Sequence, residues 1–204
     1  MRELDSSKKN FYKTLDIILN KRRNKINSNI GSVINIIKDV KKNGDKALLK
    51  YEKKFNKNNV LIPSNKRISK SINLLDKKVK KAIDLAFDRI FKFHSFQKFK
   101  NIKYTDKFKN KLEYRYSPID SVAIYVPGSS ASYPSSVLMN AIPAMVAGVR
   151  RIVMINPNYQ GKLNPAVLYA ARKCKIKEIY SIGGPSAIAA LAYGTKKINK
   201  VNKI

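Results

Sequence analysis

Three short apolar runs, at residues 122–126, 152–155 and 179–182, constrain this chain more than anything else in it. A strand with one face in water alternates apolar and polar residues, whereas these runs are continuous, so both of their faces are buried. Each run is followed by a Gly, Pro, Asn or Ser loop and then by a segment of helical composition, at residues 134–147, 165–174 and 184–193. Strand and helix in alternation predict an α/β domain with a parallel sheet. Right-handed crossovers bring all three strand ends to one edge. The loops that meet there are Pro127-Gly128-Ser129, Asn156-Pro157-Asn158 and Gly183-Gly184-Pro185. Open α/β sheets receive ligands at that edge, and Gly and Ser leave backbone N–H groups free for a phosphate or nicotinamide group. The dinucleotide fingerprint G-x-G-x-x-G is absent, and short glycine loops also serve as plain turns, so both uses fit the residues.

The first part of the chain has a different texture. Phe11, Leu15, Ile18 and Leu19 fall on one helical face, and Val33, Ile36, Ile37 and Val40 repeat the pattern. Asn43-Gly44 is a helix stop, after which Asp45 starts a further helix carrying Leu48, Leu49, Tyr51 and Phe55. Ser64 caps a short helix through Ile68 and Ile72, and Asp76 opens a longer one that runs to about Gln97. Within it, Phe87, Phe91, Phe93 and Phe96 are expected to pack against neighbouring helices, because no strand platform accompanies them for stacking bases. The periodicity then fails over residues 99–117, which read as an extended connector with a hairpin turning at 107–109. The expected division is a helical region at 1–117 and a sheet-bearing region at 118–204.

Composition narrows the function classes. With 204 residues, 44% of them hydrophobic, the chain has enough apolar material for a substantial core. Its single cysteine, Cys174, excludes an internal disulfide; no apolar run reaches membrane-spanning length, and the first residues lack a secretory signal. The cytoplasm is the expected compartment. A net charge of +30 attracts polyanions. Yet only nine of the 43 basic residues are arginine, the side chain favoured for base readout and bidentate phosphate binding. A lysine-rich, solvated surface accounts for most of the charge. The lone histidine, His94, has no visible partner for acid/base work, and one His with one Cys cannot assemble a close-spaced zinc site.

Several motifs stand in register across the chain: SPIDSVAIYVPG, SSVLMNAIPAMVAGV, RRIVMINPN and IGGPSAIAALAYGT, preceded by VKKNGDKALLKYEKKF and LLDKKVKKAIDLAFDRIFKFHSFQ. Together they resemble the N-terminal half of the histidinol dehydrogenase family. The resemblance implies an NAD-dependent, zinc-containing oxidation of L-histidinol to L-histidine through an aldehyde, in a cytoplasmic homodimer. It also implies a helical N-terminal region followed by an incomplete Rossmann-like parallel sheet on the NAD side, the helices belonging to the other large domain and its extension.

Carried over residue by residue, the resemblance makes Tyr125 of YVPG an NAD contact, with Gly128 beside it. Ser186 stands where the family has a glutamine that contacts NAD, and Ser129 replaces a second glycine. Both changes weaken the expected hold on NAD: serine at 186 lacks the reach and the two-sided bonding of an amide, and a side chain at 129 obstructs close backbone approach or is strained if φ is positive there. The family's later sequence supplies a further NAD contact, the zinc ligands, a Glu-His acid/base pair and the substrate-binding residues. None of these is found here, so no catalytic or metal-binding residue is expected among these 204, and catalysis by the chain alone is not expected. The expectation is a fragment, from gene decay, an incomplete frame or a split gene with a second chain. Residues 200–204 resemble the start of another strand, and stopping there leaves a sheet edge open, with marginal stability or aggregation as the expected cost. The alternative is a non-enzymatic remnant, or a basic protein that holds polyanions by charge.

Overall fold

The computed structural model describes residues 4–128 and 133–204, and the backbone alone for residues 21–29. Helix α1 (Phe11–Asn56) runs through the first amphipathic stretch and is broken at Gly44, whose φ of 52° and ψ of −129° are non-helical. That left-handed φ is where glycine is favoured, and it places the break where Asn43-Gly44 predicts one. Ser64 accepts from the Arg67 N–H and caps α2 (Asn65–Asn73), and Asp76 accepts from the Lys78 N–H at the start of α3 (Lys77–Ser95). A hairpin of β1 (Ile102–Thr105) and β2 (Lys111–Tyr114) follows, with Asp106 collecting the Phe108 and Asn110 N–H groups in its turn. Both hairpin strands are exposed along their whole length.

The second half alternates as its apolar runs dictate: β3 (Ser121–Tyr125), α4 (Pro134–Ala147), β4 (Arg151–Ile155), α5 (Pro165–Lys173), β5 (Glu178–Tyr180) and α6 (Gly184–Tyr193). The three strands are parallel in the order β3-β4-β5. Beyond β5, the Ser181 N–H bonds the Leu61 carbonyl at 2.8 Å, so the helical region borders one side of the sheet. Past β3, Lys203 forms a parallel bridge with Val122, and its carbonyl accepts from the Ala123 N–H at 2.8 Å. The chain thus returns after α6 to the far side of β3, the reversal of strand order that characterises a Rossmann-type half.

Alternate strand residues feed two hydrophobic clusters. Ile124, Val126, Met154 and Ile179 face α4 and α5, joined by Ile72 of α2 and Ile83 of α3. Ala123, Val153, Ile155, Tyr180 and Ile182 face α6, joined by Val40, Ala47 and Leu48 of α1. Each cluster therefore draws on both sides of the 117/118 division. The sheet is covered on both faces, which is why its strands read as continuous apolar runs.

The phenylalanine cluster of α3 differs in part from expectation. Phe87 packs against the first cluster and stacks with Phe91 at 5.7 Å, but Phe91, Phe93 and Phe96 are exposed. The buried stripe of α3 runs through Ile83 with Ala86, Phe87 and Ile90, and the three outer rings lie off it.

Candidate functional site at the carboxyl edge of the sheet

The three loops converge on Pro157. A Cβ at Gly128 would overlap the Pro157 carbonyl oxygen, and one at Gly183 would come within 2.7 Å of the Pro157 ring. Neither glycine has a left-handed backbone, so both are there for space. Gly184 differs: its φ of +64° opens α6 in a conformation that L side chains rarely adopt. Tyr125, at the end of β3, reaches across this junction and accepts the Gly184 N–H at 3.0 Å.

Beside the junction lies a cavity of about 770 Å³, lined by Tyr125, Gly128, Asn156, Pro157 and Tyr159, with Lys162 supplying a cation. Its walls carry no carboxylate among the described residues. Asn164 caps α5 beneath it, accepting from the Ala166 and Val167 N–H groups.

A buried polar network holds the loops in place. Glu52 of α1 is fully buried; its Oε1 accepts the Gly183 N–H at 2.8 Å and its Oε2 accepts from Asn56 Nδ2 at 2.7 Å. Burial pushes the Glu52 carboxyl above its ordinary range, against the opposing pull of these two donors. Asn58 Nδ2 donates to the Ser181 carbonyl at 2.8 Å, and Asn158 Nδ2 donates to Ser181 Oγ at 2.8 Å. Asn156 Nδ2 donates to the Val126 and Pro127 carbonyls at 3.1 and 3.4 Å, tying the second loop to the first.

The expectation of free N–H groups at this edge needs correcting for the third loop. The Gly183 and Gly184 N–H groups are taken by Glu52 and Tyr125, and a carboxylate stands at the α6 N-terminus where a phosphate would otherwise be favoured. The α5 N-terminus is likewise occupied by Asn164.

Of the residues singled out from sequence, Tyr125 and Gly128 come together on the cavity wall. Ser186 is buried one turn into α6, where its hydroxyl donates to the Gly183 carbonyl at 3.0 Å. Ser129 lies outside the described residues. His94 bonds Gln97 at 2.6 Å and borders a second depression with Pro143 and Gly148, at the end of α4 and so toward the opposite edge of the sheet. Cys174 is buried, its thiol pushed up to about 12 by burial, which removes it as a thiolate ligand or nucleophile at neutral pH. Sequence reasoning missed Glu52. Its signal was slight: an acid four residues after Leu48, on the buried face of a lysine-rich helix.

The family model for histidinol dehydrogenase matches residues 19–204. The chain belongs to the histidinol dehydrogenase family. It is 76% identical over 201 residues to histidinol dehydrogenase of Pelagibacter ubique, covering 98% of this chain and 47% of that relative. With the Brucella abortus enzyme it shares 46% identity over 177 residues, covering 85% of this chain and 41% of the relative. The crystal structure of histidinol dehydrogenase from Elizabethkingia anophelis superposes with a TM-score of 0.82 at 37% identity, over 86% of this chain and 41% of that one. The chain spans about half the length of the curated relatives it matches.

Histidinol dehydrogenases are generally NAD- and zinc-dependent. The described residues do not fit zinc: among them no three His, Cys, Asp or Glu side chains are grouped as ligands, and Cys174 is buried. They do fit part of a dinucleotide. The cavity combines ring-bearing walls with a lysine. No helix is long and apolar enough to cross a membrane among the described residues.

Proposed function

We propose that this chain supplies the NAD-side wall of a site that oxidises L-histidinol to L-histidine through the aldehyde. The observation that carries the proposal is the convergence of three family motifs on one junction beside the cavity: Tyr125 of YVPG bonds Gly184 of IGGP across Pro157 of the second loop. When bound, NAD supplies the hydride acceptor for both oxidation steps. The chain's own contribution is to orient it. Tyr125 presents its phenol at the strand end, Gly128 keeps the wall low, and Lys162 offers a cation to a phosphate. Ser186 is assigned a supporting part, holding the turn that carries Gly183 and Gly184.

Zinc, the acid/base pair and the histidinol-binding groups are assigned to sequence outside these 204 residues, on a second polypeptide or in a further length of chain. The family likeness also favours a homodimer and a cytoplasmic setting. The test is histidinol-dependent NADH formation with zinc present, by this chain alone and with a polypeptide carrying the rest of the family's length. Turnover is expected only in the combination. Turnover by the isolated chain, or none in the combination once both parts are shown to be folded and associated, overturns the proposal.

A further inference from the structure

We propose that Glu52 is a positioning residue for cofactor binding, setting Tyr125 and Asn56 from behind the wall of the cavity at the ends of β3 and β4. The cofactor class rests on the dinucleotide reading above; the positioning role is read from the structure.

Glu52 is fully buried and is not among the residues that line the cavity. Its backbone closes α1: the Glu52 carbonyl accepts the N–H groups of Lys57 and Asn58, so the side chain starts from a fixed point. From there its two oxygens hold two different parts of the wall. Oε2 accepts from Asn56 Nδ2 at 2.7 Å, and Asn56 lines the cavity. Oε1 accepts the Gly183 N–H at 2.8 Å; the next N–H, that of Gly184, is accepted by the phenol of Tyr125, which also lines the cavity.

The route from Glu52 to Tyr125 is short and stiff. Gly183 is extended, with φ of −152° and ψ of 177°, so the two successive N–H groups point to opposite sides of the chain. Glu52 holds one side and Tyr125 the other. Gly183 is also hemmed in: a Cβ there would lie 2.7 Å from the Pro157 ring and 3.3 Å from the Tyr125 hydroxyl oxygen. A shift of this glycine is therefore passed to the phenol and not absorbed by empty space. Because the Tyr125 oxygen accepts from Gly184, its own hydrogen is available to a ligand acceptor, and the residue is 38% exposed. An apolar side chain would fill the place of Glu52 without the cost of burying a carboxylate. What the carboxylate adds is a pair of acceptors for two separate parts of the wall.

The experiment compares Glu52→Gln with Glu52→Met by calorimetric titration of NAD into each folded chain. The two side chains are similar in size, and only glutamine keeps an acceptor for Gly183. NAD is expected to bind Glu52→Met about five- to tenfold more weakly, and Glu52→Gln within about twofold of the unaltered chain. Ile83→Ala, a core truncation outside the cavity lining, is expected to lower stability without that loss of affinity. In a Tyr125→Phe background the further effect of Glu52→Met is expected to shrink to about twofold, because the phenol carries most of it. Linkage gives a readout in the unaltered chain, which stands even if the methionine variant does not fold: NAD saturation is expected to slow hydrogen exchange of the Gly183 and Gly184 amides together. Equal NAD affinity of the two Glu52 variants, an equal loss in Ile83→Ala, an undiminished effect in Tyr125→Phe, or Gly183 exchange indifferent to bound NAD overturns the inference and leaves the dinucleotide reading standing. Absence of NAD binding by the unaltered chain removes both.

Discussion

The Glu52 carboxylate accepts the Gly183 N–H at 2.8 Å, across 131 residues of sequence. This bond joins the last turns of α1 to the loop that opens α6, and it fixes the third wall of the junction around Pro157. A buried carboxylate is costly unless its oxygens are bonded, and here each oxygen has a donor.

Glu52→Ala is expected to lower unfolding stability by about 1–3 kcal/mol, because it leaves the buried Gly183 N–H without an acceptor. Glu52→Gln should cost less. Its amide oxygen still accepts from Gly183, and Asn56 can turn its own oxygen toward the new Nε2. Urea midpoints of the three proteins check the order, and equal stability of Glu52→Ala and the unaltered chain would contradict it.

Gly128→Ala pushes a Cβ into the Pro157 carbonyl, where the obstacle is backbone and cannot rotate away. The loops must separate, at a cost of about 1–3 kcal/mol, and the cavity wall moves with them. Gly31→Ala, which meets nothing within 4 Å, serves as the control and should be neutral or slightly stabilising. Thermal melts of both variants decide the point.

The pH dependence has two opposing parts. Glu178 is held below its ordinary range chiefly by the Arg151 guanidinium, which bonds it at 2.7 and 2.8 Å. Its contribution is present above the unfolded carboxylate pKa and is lost as pH falls through the lowered folded value. Glu52 is raised by burial, so its contribution is complete below the unfolded value and is lost as pH rises through the folded one. Glu178→Gln should therefore flatten the acid side of a stability profile, and Glu52→Gln the side approaching neutrality. Denaturation midpoints measured from pH 3 to 8 would contradict this if either variant left its own limb unchanged.

How far the sequence reveals this site follows from the range of the interactions. The strands and helices of the second half are local: continuous apolar runs, Pro at helix starts and Gly148 after α4 place them almost to the residue. The convergence of the loops follows from crossover handedness. What the loops do with their glycines is tertiary. Gly128 and Gly183 are needed because Pro157 lies against both, and no spacing in the chain records that contact. Glu52 is hidden for the same reason, since its partner is in another motif. Ser186, expected from the resemblance to lie at a cofactor contact, turns its hydroxyl back onto the Gly183 carbonyl, a rotamer choice that sequence cannot display.

Whether this edge of the sheet takes a dinucleotide is read most directly by titrating NAD into the isotopically labelled chain and following the backbone amides of Gly128, Gly183 and Gly184. These three are expected to shift together and saturably. Tyr125→Phe, which removes the acceptor of the Gly184 N–H, should weaken binding about five- to tenfold while leaving the fold cooperative. Amides that do not move, or shifts confined to the lysine-rich surfaces of α1 and the hairpin, would contradict the assignment of this edge as the NAD-side wall.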